Sequence, residues 1–342
     1  MNFKNIIMIA IIGFSLTTFQ STGYSLELNL SGLTSKDDPN RVTLHSYTVD
    51  IDDDHPATAD KWRNNPIDIE GVMSYPKDSG RGPFAAIIYL LSSGGYDKKY
   101  DDGWVKQFND AGYATLMVNQ YTARGISLKG GLGNSQDGIG DISFVSDVYA
   151  AIRSLKKNPK IDHNRIATFG MSWGGGVQIF MTSQWYTNKV GDGEQIQAHI
   201  ALAPACYMTV ENPTPTSTKM LMLLGEKDNW NEPGPCIDYA DKLNAAGGSA
   251  EVIIIPDAAH AFDTAEPKKS KKAMTWHCQV TWDPKTMKAY HKREGKEADY
   301  SKNDWGNLWD DCSKKRKVTT GGTSAQRKQA EDAIFSFLKN NL

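Results

Sequence analysis

From Phe84 onward the chain alternates short, continuously apolar runs with segments of helix length, and this pattern limits the fold more than any other feature. A strand that is apolar at every position is buried on both faces, as happens when helices cover both sides of a parallel sheet. Runs at 85–91, 114–119, 165–169, 198–203, 219–224 and 250–255 are predicted to be such strands. Amphipathic segments at 103–111, 141–155, 173–183 and 236–246 fall between most of them, and 324–338 makes a last helix. The order is that of an α/β fold, a mostly parallel central sheet with helices on both faces. Ahead of it, 41–51 and 67–75 have the alternating, β-branched character of an opening antiparallel pair.

Residues 264 to about 320 break the alternation. They are rich in Lys, Asp and Gly yet carry Trp276, Trp282, Trp305 and Trp309, too polar for core and too aromatic for a simple linker. An irregular insertion before the last helix is expected there, serving either as surface packing held by a disulfide or as a lid or substrate wall.

Lys4, the apolar run from Ile6 to Phe19 and the small residues Ser21, Gly23 and Ser25 read as a signal peptide over 1–25. The run is shorter than the roughly 20 apolar residues of a spanning helix, so no stable membrane insertion is expected after cleavage. The remainder, 26–342, is expected to be one α/β domain, exported and either periplasmic or secreted. In an oxidising compartment thiols commonly pair. Cys278 and Cys312 bracket a polar, loop-like stretch and are the favoured pair, while Cys206 and Cys236 are left as either a pair or buried thiols. None has the spacing of a zinc site, and neither a metal nor a cofactor is expected. With 38 basic and 40 acidic residues, a formal charge of −2, overall charge gives no reason to bind nucleic acid or an anionic membrane.

The run at 165–169 leads directly into Gly170-Met171-Ser172-Trp173-Gly174, two more glycines and an apolar helix. A tight strand-to-helix turn lifts a serine hydroxyl out of the sheet, and the helix behind it points N–H groups at the same spot. Such a hydroxyl needs a base, commonly an imidazole held by a carboxylate. Both follow in the chain. Gly225-Glu226-Lys227-Asp228 comes after one predicted strand and Pro256-Asp257-Ala258-Ala259-His260 after the next. These are the carboxyl ends of parallel strands, where α/β sheets bind ligands. Of the seven histidines only His260 satisfies both order and strand end. Asp228 is favoured as the acid over Glu226 and over Asp257, which lies too near His260 in sequence.

With those segments in hand the chain resembles the dienelactone hydrolase family, a branch of the α/β-hydrolases. The likeness covers roughly 65–263 and the last helix. It is carried by IATFGMSWGG (166–175), LLGEKDNWNEPGPC (223–236) and IPDAAHAFD (255–263). The resemblance implies an α/β-hydrolase fold, with Ser172 as nucleophile, Asp228 as acid and His260 as base. By position it also implies an oxyanion hole made by the backbone N–H groups of Ser93 and Trp173. The founding members use a cysteine nucleophile, so hydrolysis of the dienelactone itself is not implied. Where many relatives have His-Gly after the strand, this chain reads Leu90-Leu91-Ser92-Ser93-Gly94-Gly95. The expected activity is hydrolysis of a small-molecule carboxylic ester. A thioesterase or peptidase using the same triad, or a non-catalytic exported binding protein, are the alternatives. Tyr96 and Trp230, with Trp173, fall at strand ends and form either a substrate pocket or ordinary packing.

Overall fold

The computed structural model describes residue 33 and residues 37–50, 53–77, 80, 82–134, 140–302, 308 and 312–342. The expected signal peptide, Trp305 and Trp309 lie outside these residues. Strands β1 (Arg41–Tyr47) and β2 (Pro66–Ser74) pair antiparallel and bury alternate residues, as a one-sided pair does. The six runs read as buried strands become β3 (Phe84–Leu90), β4 (Ala114–Asn119), β5 (Ile161–Met171), β6 (Ala198–Leu202), β8 (Lys219–Gly225) and β9 (Ala250–Ile255). β3, β4 and β6 are buried at every position, whereas β9, at the edge, leaves Ile254 exposed. The sheet order is β1-β2-β4-β3-β5-β6-β8-β9, parallel from β4 to β9.

The helices are α1 (Lys98–Asp110), α2 (Asp141–Lys157), α3 (Trp173–Met181), α4 (Gln184–Lys189), α5 (Pro233–Ala245) and α6 (Ser324–Asn341). α1 starts earlier than its apolar residues indicate because the Asp97 side chain accepts the Tyr100 N–H and caps it. Successive residues of β5 show how both sheet faces are covered. Thr168 donates to Gln178 of α3, while the Phe169 ring packs on Trp104 and Phe108 of α1, and Phe108 in turn meets Phe335 of α6.

The insertion is where the composition places it, but it is not irregular. β10 (Lys269–Trp276) and β14 (Ser313–Thr320) form an antiparallel ribbon. β11 (Val280–Asp283), β12 (Lys288–His291) and β13 (Lys296–Asp299) form a second small sheet. The short β7 (Met208–Val210), between β6 and β8 in sequence, joins that sheet parallel to β11. Among the described residues between Cys278 and Cys312, three short strands stand where a loop is expected. The ribbon strands read as polar because backbone pairing forms them and only Thr275 and Val318 are buried in them, whereas β11 is buried at all four positions but is too short to give a strand signal. Trp282 is buried edge-on to Trp185 and Tyr186. Cys278 and Cys312 are bonded across the base of the ribbon, and Cys206 is bonded to Cys236. No helix among the described residues is long and apolar enough to cross a membrane.

Candidate active site

Ser172 follows β5 at φ 57°, ψ −114°, a backbone region that L-residues occupy only when the surroundings hold them there. Several bonds do so. Its N–H donates to Leu202 O of β6, and its carbonyl accepts from Gly176 and Ala205 N–H. The flanking glycines are steric necessities. A Cβ on Gly170 would come within 2.5 Å of Gly174, and one on Gly174 would lie 2.6 Å from Leu90 O and 2.8 Å from Leu91 O. The elbow therefore presses against the carboxyl end of β3.

Three of the expected site residues come together at this edge. Ser172 Oγ lies 3.1 Å from His260 Nε2, and His260 Nδ1 lies 2.8 Å from Asp228 Oδ2. All three are buried. Asp228 Oδ1 accepts the N–H groups of Trp230 and Asn231, both at 2.9 Å, which leaves Oδ2 to face the imidazole. Glu226, the rival acid, is exposed, accepts the Asp257 N–H and pairs with Lys227. Ala203, Asp257 and Ala261 also have positive φ, so four of the described non-glycine residues in that region cluster at these strand ends.

His260 is also held from the insertion. Its N–H donates to Thr319 O, and its carbonyl accepts the Gly321 N–H. The acid loop is stitched to the same ribbon: Asn229 Oδ1 accepts the Thr319 N–H and the Trp230 indole donates to Met274 O. The Trp230 ring lies 4.9 Å from that of His260. Trp173, Tyr207 and Trp276 stack in a row leading from the serine elbow to the ribbon, at 6.1 and 5.8 Å between rings. A cavity behind Trp173, lined by Asp141, Phe180 and Tyr207 among others, holds about 10 Å³, the room of one water. Burial and the neighbouring Asp54 push the Asp141 carboxyl well above its usual range.

The structure does not bring Tyr96 to the triad. Its hydroxyl donates to Asp102 of α1 and its N–H to Leu128 O, and it lines a cleft with residues of β2, β4 and α1. Ser93 sits half-buried in the turn between Ser92 and Gly95, after β3, and Trp173 opens α3. The first three amides of an α-helix have no acceptor within it, so the Trp173 N–H is free for a ligand oxygen on helix geometry. Asn231 was not singled out from sequence. Its Nδ2 donates to Ala203 O at 2.9 Å and lies 3.4 Å from Ser172 Oγ. Its place directly after the expected site residue Trp230 was the available signal.

The description "Dienelactone hydrolase family" matches residues 69–286, more than half of the chain. The chain belongs to the dienelactone hydrolase family. It is therefore a hydrolase of the α/β-hydrolase fold, in a family of ester hydrolases. A protein of Methylorubrum extorquens named as a carboxymethylenebutenolidase is 23% identical over 225 residues, 58% of this chain and 73% of the relative. A thermophilic esterase of Thermogutta terrifontis with propionate bound superposes with a TM-score of 0.45 at 18% identity, covering 58% of this chain and 81% of that one. A dienelactone hydrolase-like promiscuous phosphotriesterase from metagenomic libraries gives a TM-score of 0.48 at 10% identity, covering 88% and 99%.

Proposed function

We propose that the protein is an exported serine hydrolase that cleaves the carboxylic ester of a small molecule through an acyl-enzyme on Ser172. The observation that carries this reading is the continuous path from Ser172 Oγ through both imidazole nitrogens of His260 to Asp228 Oδ2, at 3.1 and 2.8 Å. Ser172 Oγ attacks the ester carbonyl while His260 Nε2 takes its proton. Asp228 keeps the Nδ1 proton in place and stabilises the imidazolium. The tetrahedral oxyanion rests on the N–H groups of Trp173 and Ser93, the alcohol leaves with the proton from His260, and water attacks the acyl-enzyme by the reverse sequence. The aromatic row Trp173, Tyr207 and Trp276, with Trp230 beside His260, supports reading the insertion as a substrate wall. Two disulfides support export, since such bonds persist in oxidising compartments.

A fluorophosphonate probe and short and long p-nitrophenyl esters test this, with Ser172→Ala beside the wild type. The wild type should be labelled and turn over an ester, and the variant should do neither, because removing a triad nucleophile costs on the order of 10⁶ in kcat. Ester turnover by a folded Ser172→Ala protein at near the wild-type rate would remove Ser172 from the mechanism.

A further inference from the structure

The ribbon of β10 and β14 concentrates charge that the composition of the whole chain conceals. Seven of its sixteen residues are basic and none is acidic, in a chain of formal charge −2. Strand alternation places Lys272, Met274 and Trp276 on one side of β10 and Lys315 and Lys317 on the same side of β14, and all five are exposed. Lys272 lies directly opposite Lys317, an arrangement that like charges make unfavourable in an isolated sheet. Met274 and Trp276 are 44% and 42% exposed, more than any other large hydrophobic among the described residues.

We infer that this outer face docks the protein on an anionic lipid bilayer. Lysines on an edge ribbon also discourage strand-to-strand aggregation, but that purpose is poorly served by leaving a Met and a Trp exposed among them. A soluble polyanion would reward the charges alone. A bilayer surface rewards both, since lysines are drawn to anionic headgroups while Trp and other apolar side chains settle at the interface. Six of the seven cations are Lys, which suits a diffuse charged plane better than bidentate recognition of one phosphate. The docked face adjoins the site: Trp276 stacks on Tyr207, and Met274 O receives the Trp230 indole. Docking would thus set the mouth of the site beside the membrane, and it stands whether or not Ser172 is the nucleophile.

The test is sedimentation of the exported form, from residue 26, with vesicles of mixed phosphatidylglycerol and phosphatidylcholine, and with phosphatidylcholine alone. Binding to the anionic vesicles alone is expected, and it should be lost at high salt. At about fivefold per lysine near such a surface, Lys272→Gln/Lys315→Gln/Lys317→Gln should weaken it on the order of a hundredfold. Met274→Ser should weaken it further at unchanged charge. Hydrolysis of a soluble ester and the far-UV spectrum should be those of the wild type, showing that the variants fold. Equal sedimentation of wild type and triple variant, no sedimentation of either, or retention on immobilised polygalacturonate without vesicle binding would each overturn the docking.

Discussion

His199 offers a direct check on how tightly the sheet behind the serine elbow is packed. It lies on β6, 1% exposed, with Nδ1 2.7 Å from Thr168 Oγ1. Since the Thr168 hydroxyl donates to Gln178 Oε1, its oxygen is left to accept from His199 Nδ1–H. Gln178 then donates to Gly174 O and Ile200 O, so the network ties the first turn of α3 to β5 and β6. Burial lowers the His199 imidazole from 6.5 to about 3. The unfolded chain therefore takes up a proton below pH 6.5 that the folded chain refuses until about pH 3. Stability from this group is complete above pH 6.5 and falls through that window. Between pH 7 and pH 5 the loss is about 2 kcal/mol, at roughly 1.36 kcal/mol per pH unit over the range where only the unfolded imidazole titrates. Urea unfolding of the wild type and of His199→Asn at both pH values isolates the effect, because every other titrating group is common to the two. The variant starts less stable but should lose about 2 kcal/mol less on acidification. Parallel losses in both proteins would show that His199 is not held neutral by burial.

Asn231→Ala removes the side chain that links Ala203 O to the serine hydroxyl, and should lower kcat about tenfold with KM for a soluble ester and the unfolding midpoint little changed. A change in the midpoint alone would make Asn231 structural. Gly174→Ala drives a Cβ into the carbonyls of Leu90 and Leu91, and should cost about 1–3 kcal/mol in urea unfolding and abolish fluorophosphonate labelling by displacing the elbow. Cys206→Ala/Cys236→Ala opens a loop of sequence separation 30 and should cost between about 3 and 4 kcal/mol by the same assay.

Much of the fold was legible because β3, β4, β6, nearly all of β8 and the carboxyl half of β5 are buried on both faces and so carry an almost unbroken apolar signal. The triad candidates were legible for a related reason. Ser172, Asp228 and His260 each follow a parallel strand at its carboxyl end, so chain order alone places them on one edge. Strand-end position does not say which way a side chain turns, and Tyr96, taken by Asp102 on α1, shows the difference. The pairing of Cys206 with Cys236 became legible only with the strand order. β6 and β8 are neighbours, which brings the segments after their carboxyl ends side by side.

The insertion was the least legible part because the ribbon owes its form to backbone pairing rather than to apolar side chains, and the more buried strands beside it, β11 and β12, are only four residues long. Its role is nonetheless tied to the sheet. Positive-φ residues at the ends of β5, β6 and β9 each cost roughly 1–3 kcal/mol and hold only where surrounding bonds over-determine them. At Ser172 those bonds come from β6 and the loop after it. At His260, next to the strained Ala261, they come from Thr319 and Gly321 at the end of β14. Asn229 fastens the acid loop to that same strand end. The imidazole and its carboxylate are thus positioned by one segment that the parallel sheet does not supply. The insertion is part of the mounting of the base: a displacement of the backbone at Thr319 and Gly321 reaches the site, whereas outward-facing side chains of the ribbon such as Lys272 and Lys315 make no contact with that mounting.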